Sequence, residues 1–263
     1  MKFSSTDPNS FFRIIVEDNN RNLIESASSY FETYLRRRLD HKESKPIGLA
    51  TGRTMIPFYS SLVERLKNWT HNEFESLIKN WLSYNLDEYI GLPNSDKKSY
   101  HYYMNKHLIK PLGLNPSKVR LPNGNAEDVY NEADRYSNEI RSYGGFSIQL
   151  LGLGQNGHVG FNEPPCELNS YCRVVRLSHS TRMQNSFAFE QQASNVPLNA
   201  ITIGIDEILN ADQVHLIVSG RSKLNILREL LQAKSSKYLP ASWIKSHPKC
   251  YLWADKNAFP KRL

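Results

Sequence analysis

The chain alternates short runs of apolar and β-branched residues with longer stretches whose apolar positions recur at helical spacing. Runs at Phe12 to Val16, Ile47 to Ala50, Trp81 to Leu86, Ile148 to Leu151, Val214 to Val218 and Cys250 to Trp253 predict strands. After the first run, Leu23, Ala27, Tyr30, Phe31, Tyr34 and Leu35 mark one face of a helix over Leu23 to Leu39, with Asn20 or Asn22 as its N-cap. Met55 to Leu66, Ala126 to Arg141 and Lys223 to Ala233 predict further helices. This alternation predicts an α/β fold in which crossover helices cover both faces of a mainly parallel central sheet. At 263 residues the chain is long enough for a full core, and residues 1–263 read as a single domain.

Three of the predicted strands run into turns rich in small residues, at Thr51-Gly52, Gly152-Leu153-Gly154 and Ser219-Gly220. Gly at a strand end lets the backbone turn sharply and approach a ligand. In an open parallel sheet ligands bind beyond the carboxyl ends of the strands, so one device repeated at three strand ends points to one shared crevice. The polar stretches Pro93 to Lys98 and Leu121 to Asn125 read as surface connections, and Pro164 to Tyr171 as an irregular loop that covers or borders the crevice.

Charge narrows the ligand class. There are 33 Lys and Arg against 26 Asp and Glu, a formal net charge of +7. The basic residues are scattered, without a long tract, a helix-turn-helix signature or a metal-knuckle spacing, so no nucleic-acid partner is expected and an anionic metabolite fits better. No apolar run is long enough to span a membrane, and the N-terminal MKFSSTDPNSFF lacks the apolar core of a signal peptide, so a cytoplasmic protein is expected. In that setting Cys166, Cys172 and Cys250 are expected as reduced thiols. Without HxH or HExxH spacing, no metal is expected.

The chemistry-bearing residues sit at the strand ends. GLATGRT (Gly48 to Thr54) leads a strand through a turn into a helix, where unpaired amides favour phosphate; Thr51, Gly52, Arg53 and Thr54 are the candidate contacts. It is neither a Walker loop nor a dinucleotide fingerprint. YNLDEYIGLP (Tyr84 to Pro93) places Asp87 and Glu88 after an apolar strand. Neighbours on a strand face opposite ways, so only one can reach the crevice as a general base, leaving the other free for a structural role; the plainer alternative is helix capping or an exposed pair. GLGQNGHVGFNEP (Gly152 to Pro164) supplies Asn156, His158 and Glu163. Arg182 and Lys223 add cations suited to a sugar phosphate.

These segments, with SYHYYMNKHL, LPNGNAEDVYNEADRYSNEIRSYGG, SHSTRMQNS, AITIGIDEIL and the His247-Pro248 pair, occur in an order that resembles the glucosamine-6-phosphate deaminase (glucosamine-6-phosphate isomerase) family over nearly the whole chain. The resemblance implies a three-layer Rossmann-like fold and conversion of D-glucosamine 6-phosphate and water to D-fructose 6-phosphate and ammonia without a cofactor. It casts His158, oriented by Asn156 and Glu163, in ring opening, and Asp87 as the base at C2. Thr51, Gly52, Arg53, Thr54, Arg182 and Lys223 would hold the phosphate. A homo-oligomer is the expected assembly. Asn156 stands where some members carry an acid; it can hydrogen-bond His158 but cannot stabilise an imidazolium by charge. The competing readings are a 6-phosphogluconolactonase-like hydrolase, a deaminase of another amino-sugar phosphate such as galactosamine 6-phosphate, and a non-catalytic sugar-phosphate sensor. Lactone hydrolysis needs no C2 base, and a sensor need not keep Asp87, His158 and Glu163 together.

Overall fold

The computed structural model describes residues 2–3, 12–41 and 43–261; residues 4–11, within the segment read against a signal peptide, lie outside them. The first half contains β1 (Lys2–Phe3), β2 (Phe12–Glu17), α1 (Asn20–Asp40), β3 (Ile47–Leu49), α2 (Met55–Lys67), α3 (His71–Asn80), β4 (Ser83–Asn85), β5 (Asp87–Tyr89), α4 (Tyr100–Met104), α5 (Lys110–Leu112) and β6 (Val119–Arg120). The second contains α6 (Val129–Ser142), β7 (Ile148–Gly152), β8 (Arg173–Arg176), α7 (His179–Asn185), β9 (Asn199–Thr202), α8 (Ile205–Leu209), β10 (Val214–Val218), α9 (Leu224–Gln232) and β11 (Cys250–Asp255).

The six predicted strands stand side by side in one sheet, ordered β1-β2-β11-β10-β7-β3-β4-β6, in which every pairing except that of β1 with β2 is parallel. Parallel strands covered on both faces have no solvent side to accommodate polar residues, and all five positions of β10 are accordingly buried. Helix α1 carries Leu23, Ile24, Ala27, Phe31 and Leu35 into the core along one stripe. Its N-cap is Asn19, one position before the expected candidates: Asn19 Oδ1 accepts the Asn22 amide at 2.9 Å. Helix α3, which apolar spacing alone does not announce, starts with a capping box between Thr70 and Glu73.

One predicted strand is divided. Only Ser83 to Asn85 of the run Trp81 to Leu86 joins the main sheet; Leu86 donates its amide to Leu49 O at 3.0 Å and accepts the Ile203 amide at 2.8 Å. The chain crosses there into a second, antiparallel sheet, β5-β9-β8, in which Asp87 pairs with Thr202. The expected strand end is thus the start of another strand.

The switch point lies in the middle of the main sheet. From β3 the chain builds outward through β4 and β6; from β7 it builds the other way through β10 and β11. Strands β10, β7 and β3 are adjacent and parallel, so the three small-residue turns predicted at their ends open on the same edge of the sheet.

Candidate active site

At that edge lies a cleft of about 400 Å³ lined by the turn from Ala50 to Met55, by Asp87 and Tyr89, by Tyr100 and Tyr103, by Gly152 to Gln155 with His158, and by Lys223. The GLATGRT turn is held from behind: Tyr59 Oη donates to Ala50 O at 2.7 Å, and Tyr103 Oη to Gly52 O at 2.8 Å. Gly52 takes φ +105°, which a side chain would oppose. Thr54 makes no side-chain cap, and the Met55 amide that opens α2 donates to Gly52 O at 3.0 Å, so it is the amides of Gly52, Arg53 and Thr54, which donate to no described residue, that are left for a ligand.

Strand alternation separates the two acids. Glu88 turns away from the cleft and accepts the amides of Tyr89, Tyr100 and His101 at 2.8, 3.0 and 2.9 Å, together with the His101 ring at 2.9 Å. It thus satisfies the first amides of α4, whose N-cap is Ser99. Asp87 lines the cleft, is 5% exposed and accepts no hydrogen bond from the described residues. Burial, with the Glu88 charge beside it, pushes its carboxyl well above the ordinary carboxylate range.

The glycine loop presents the histidine. Gly154 donates its amide to His158 O at 2.9 Å, closing a tight turn over which the imidazole folds back. A Cβ at Gly154 would overlap that ring, so the position requires glycine. His158 Nδ1 lies 2.6 Å from Asn156 Oδ1, while Asn156 Nδ2 lies 3.4 Å from Glu163 Oε2. A carboxylate only accepts, which turns the amide NH₂ of Asn156 toward Glu163 and its carbonyl toward the ring. Nδ1 must therefore carry the proton, leaving Nε2 as a bare acceptor. Burial drives the His158 pKa down to about 4, with Glu163 opposing and Lys223 reinforcing the shift, so the ring is neutral near pH 7. Glu163 is anchored in turn by the Ser178 amide at 3.0 Å, just before α7.

The cations are grouped on the same side. Lys223 ends the short turn after β10 and lines the cleft, and its side chain makes no hydrogen bond or ion pair with the described residues. Burial, and Arg53 next to it, lower its pKa to about 8. Arg53 stacks on Phe187, with its guanidinium carbon 5.4 Å from the ring centre. Two cations facing one partly buried space repel each other until an anion enters.

Seven of the ten residues singled out in sequence line this cleft: Thr51, Gly52, Arg53, Thr54, Asp87, His158 and Lys223. Asn156 and Glu163 stand behind His158 as its support. Arg182 does not line it; its Nη1 donates to Ala193 O at 3.3 Å and its buried Nε has no hydrogen-bond partner. The expected covering loop, Pro164 to Tyr171, is also elsewhere: the Cys166 amide donates to Lys237 O at 2.8 Å and Trp243 Nε1 to Cys166 O at 3.0 Å, away from the cleft. The cover comes instead from Gln184 to Phe189, tied down by Gln155 N to Gln184 Oε1 at 3.0 Å. Lys97 and Lys98 also reach the cleft, so that connection is more than surface. Tyr89, Tyr100 and Tyr103 were visible in sequence only as an aromatic-rich stretch with no role attached.

All three cysteines are buried free thiols, and no group of three or more His, Cys, Asp or Glu among the described residues could hold a metal ion. No described helix is long and apolar enough to cross a membrane.

Comparison with known proteins agrees with this fold. Residues 18–253 match the family described as glucosamine-6-phosphate isomerases/6-phosphogluconolactonase. A glucosamine-6-phosphate deaminase of Halothermothrix orenii is 36% identical over 246 residues, 94% of this chain and 98% of its own length. One from Geobacillus sp. is 39% identical over 84% of this chain and 86% of its own length. A solved structure described as a monomeric glucosamine-6-phosphate deaminase superposes with a TM-score of 0.85 at 35% identity, covering 93% of this chain and 98% of its own. The 6-phosphogluconolactonase of Thermotoga maritima shares the fold, with a TM-score of 0.71 at 20% identity over 92% of this chain and 99% of its own. This chain belongs to the glucosamine-6-phosphate isomerase/6-phosphogluconolactonase family.

Proposed function

We propose that this protein is an enzyme that converts D-glucosamine 6-phosphate and water to D-fructose 6-phosphate and ammonia. The observation that carries the reading is the meeting, in one cleft, of a buried carboxylate and two cations that pair with no described residue, and a neutral imidazole with a bare Nε2.

In this reading the Thr51 to Thr54 turn, Arg53 and Lys223 take the phosphate, and Arg182 joins them by turning its unpartnered Nε edge toward the ligand. His158 Nε2 receives the anomeric hydroxyl proton and returns it to the ring oxygen, opening the sugar. Asn156 keeps the imidazole in the tautomer this requires, and Glu163 keeps Asn156 turned the right way. Asp87 then removes the C2 proton and delivers it to C1, while the C2 amine gives up a proton and O1 takes one, producing an imine at C2 and a hydroxyl at C1. Water adds to that carbon, and ammonia leaves to give the ketose. A carboxylate with a raised pKa is a stronger base, and the dry setting that raises it also strengthens its pull on the proton. Positioning by the phosphate supplies a large part of the barrier reduction.

The lactonase alternative finds less support. The likeness to lactonases at 20% identity concerns the fold alone, and lactone hydrolysis leaves the isolated Asp87 without a task. The deciding experiment incubates purified protein separately with glucosamine 6-phosphate, galactosamine 6-phosphate and 6-phosphogluconolactone. Equal release of ammonia and fructose 6-phosphate from the first is expected; lactone hydrolysis in its place overturns the reading. Reaction with the galactosamine epimer alone would change the substrate but keep the chemistry. The reading also takes residues 1–263 as one cytoplasmic domain that self-associates; sedimentation at a single chain's 30.3 kDa would overturn the last point.

A further inference from the structure

A second cavity, of about 340 Å³, lies at the opposite edge of the main sheet, under the C-terminal end of α1. It is lined by Tyr30, Tyr34, Arg37, Arg38, His41 and Glu43, with Gln213 at the foot of β10. Ser147, which precedes β7, supports its floor: Arg38 Nη1 donates to Ser147 Oγ at 2.8 Å, and Ser147 Oγ to Pro46 O at 3.2 Å. The catalytic cleft opens at the other ends of these same strands, so the two spaces are separated by the length of the sheet.

Arg38 is the unusual member. Its side chain is buried, with 7% of the residue exposed, yet no carboxylate among the described residues pairs with it. Its polar partners, Ser147 and Tyr34, are neutral, and the Glu43 charge offsets its burial only in part. A guanidinium taken out of water without a counterion is costly, and proteins normally bury one only against an acid. The helix end does not account for it. Cations near a helix C-terminus do interact well with the dipole, and the exposed Arg37 fits that role. Arg38 instead points its donor at a hydroxyl on another element. The Arg37 side chain makes no hydrogen bond or ion pair with the described residues, and Glu43, the acid in the lining, is exposed and accepts the Lys45 amide at 3.0 Å.

We propose that this cavity is an anion site, distinct from the catalytic cleft, that takes a small multiply charged oxyanion between Arg37, Arg38 and His41. Arg38 forms the floor and supplies the buried charge. Arg37 and His41 close over the ligand from the rim, beside Tyr30, whose hydroxyl already donates to Gln213 Oε1 at 2.9 Å. Glu43 opposes binding and sets its strength. The site is independent of the reaction assigned to the cleft.

The probe is inorganic pyrophosphate, titrated calorimetrically into the full chain. Arg37→Ala, at an exposed position, removes one charge-assisted contact and is expected to weaken one class of binding site by about tenfold or more. Glu43→Gln is expected to tighten the same class by about threefold, a gain that loss of a purely structural group would not give. Lys223→Ala leaves this class unchanged, which separates it from the cleft whatever the cleft's substrate proves to be. Unaltered melting temperatures in Arg37→Ala and Glu43→Gln show that both variants fold. Pyrophosphate binding that is the same in wild type, Arg37→Ala and Glu43→Gln overturns the proposal and leaves these arginines as helix-terminal cations.

Discussion

Replacing Asn156 by Leu tests the tautomer on which the proposed ring opening depends. In the native protein Asn156 Oδ1 accepts the Nδ1 proton of His158 at 2.6 Å, and the ring is buried. Leucine is close in shape but offers no acceptor, so a buried N–H loses its partner at a cost of about 1 to 3 kcal/mol. The same energy is what biases the ring toward carrying its proton on Nδ1. Its loss corresponds to a factor of about 5 to 150 in the ratio of tautomers, and a ring protonated on Nε2 cannot accept from the anomeric hydroxyl. Turnover of glucosamine 6-phosphate should therefore fall by about one to two orders of magnitude in kcat/KM. Histidine labelled with ¹⁵N reads the cause directly: wild type should show a protonated Nδ1 and bare Nε2 at pH 7, and Asn156→Leu a mixture or the reverse. A wild-type spectrum with bare Nδ1, or an Asn156→Leu enzyme with native kcat/KM, refutes the reasoning.

Asp87→Asn should bind substrate but lose C2 proton exchange with solvent, with kcat down by about 10² to 10⁴, the usual contribution of a positioned base; wild-type exchange followed by NMR in D₂O would remove Asp87 from that role. Lys223→Ala should raise KM for phosphorylated sugar by about tenfold or more through loss of a charged hydrogen bond, and an unchanged KM would place the phosphate elsewhere. Gly124→Ala would bring a Cβ into the Tyr89 carbonyl oxygen and press on the strand that carries Asp87; about 1 to 3 kcal/mol of stability should be lost, read from urea denaturation, and a native midpoint would argue against so tight a contact. Stability should also decline on acidification. The His158 imidazole is held at about pKa 4 when folded against 6.5 ordinarily, so between those values the unfolded chain binds the extra proton. Its contribution is intact above pH 6.5 and about 3 kcal/mol is lost by pH 4. Replacing His158 by Gln should flatten the acid limb of the stability curve across that window.

The sheet was legible because buried parallel strands leave runs dominated by apolar and β-branched residues, and all six such runs contribute its adjacent strands. Elements of the second sheet were not. Strands β8 and β9 read RVVR and NAIT, too short and too polar at their ends to separate from loop by pattern alone. The division of the run at Leu86 depends on two backbone hydrogen bonds to partners distant in sequence, Leu49 and Ile203, which no local pattern encodes. Likewise the fate of Asp87 and Glu88 was half legible. Alternation required that they part, but only the arrival of the α4 amides decided which acid would be taken up by them. The cleft's cover was assigned to the wrong loop because irregular sequence marks absence of regular structure and says nothing about where the backbone runs.

Glu163 receives both the Ser178 amide and the Asn156 side chain. The first bond fastens the beginning of α7, whose continuation roofs the cleft; the second reaches the imidazole one residue further on. Roof and base are thereby interlocked. If the roof lifts to admit a sugar, Glu163 loses a support and the acceptor that holds the imidazole proton loosens with it. The histidine would be fully aimed only once the roof is seated again, so an open cleft idles and a closed one is armed.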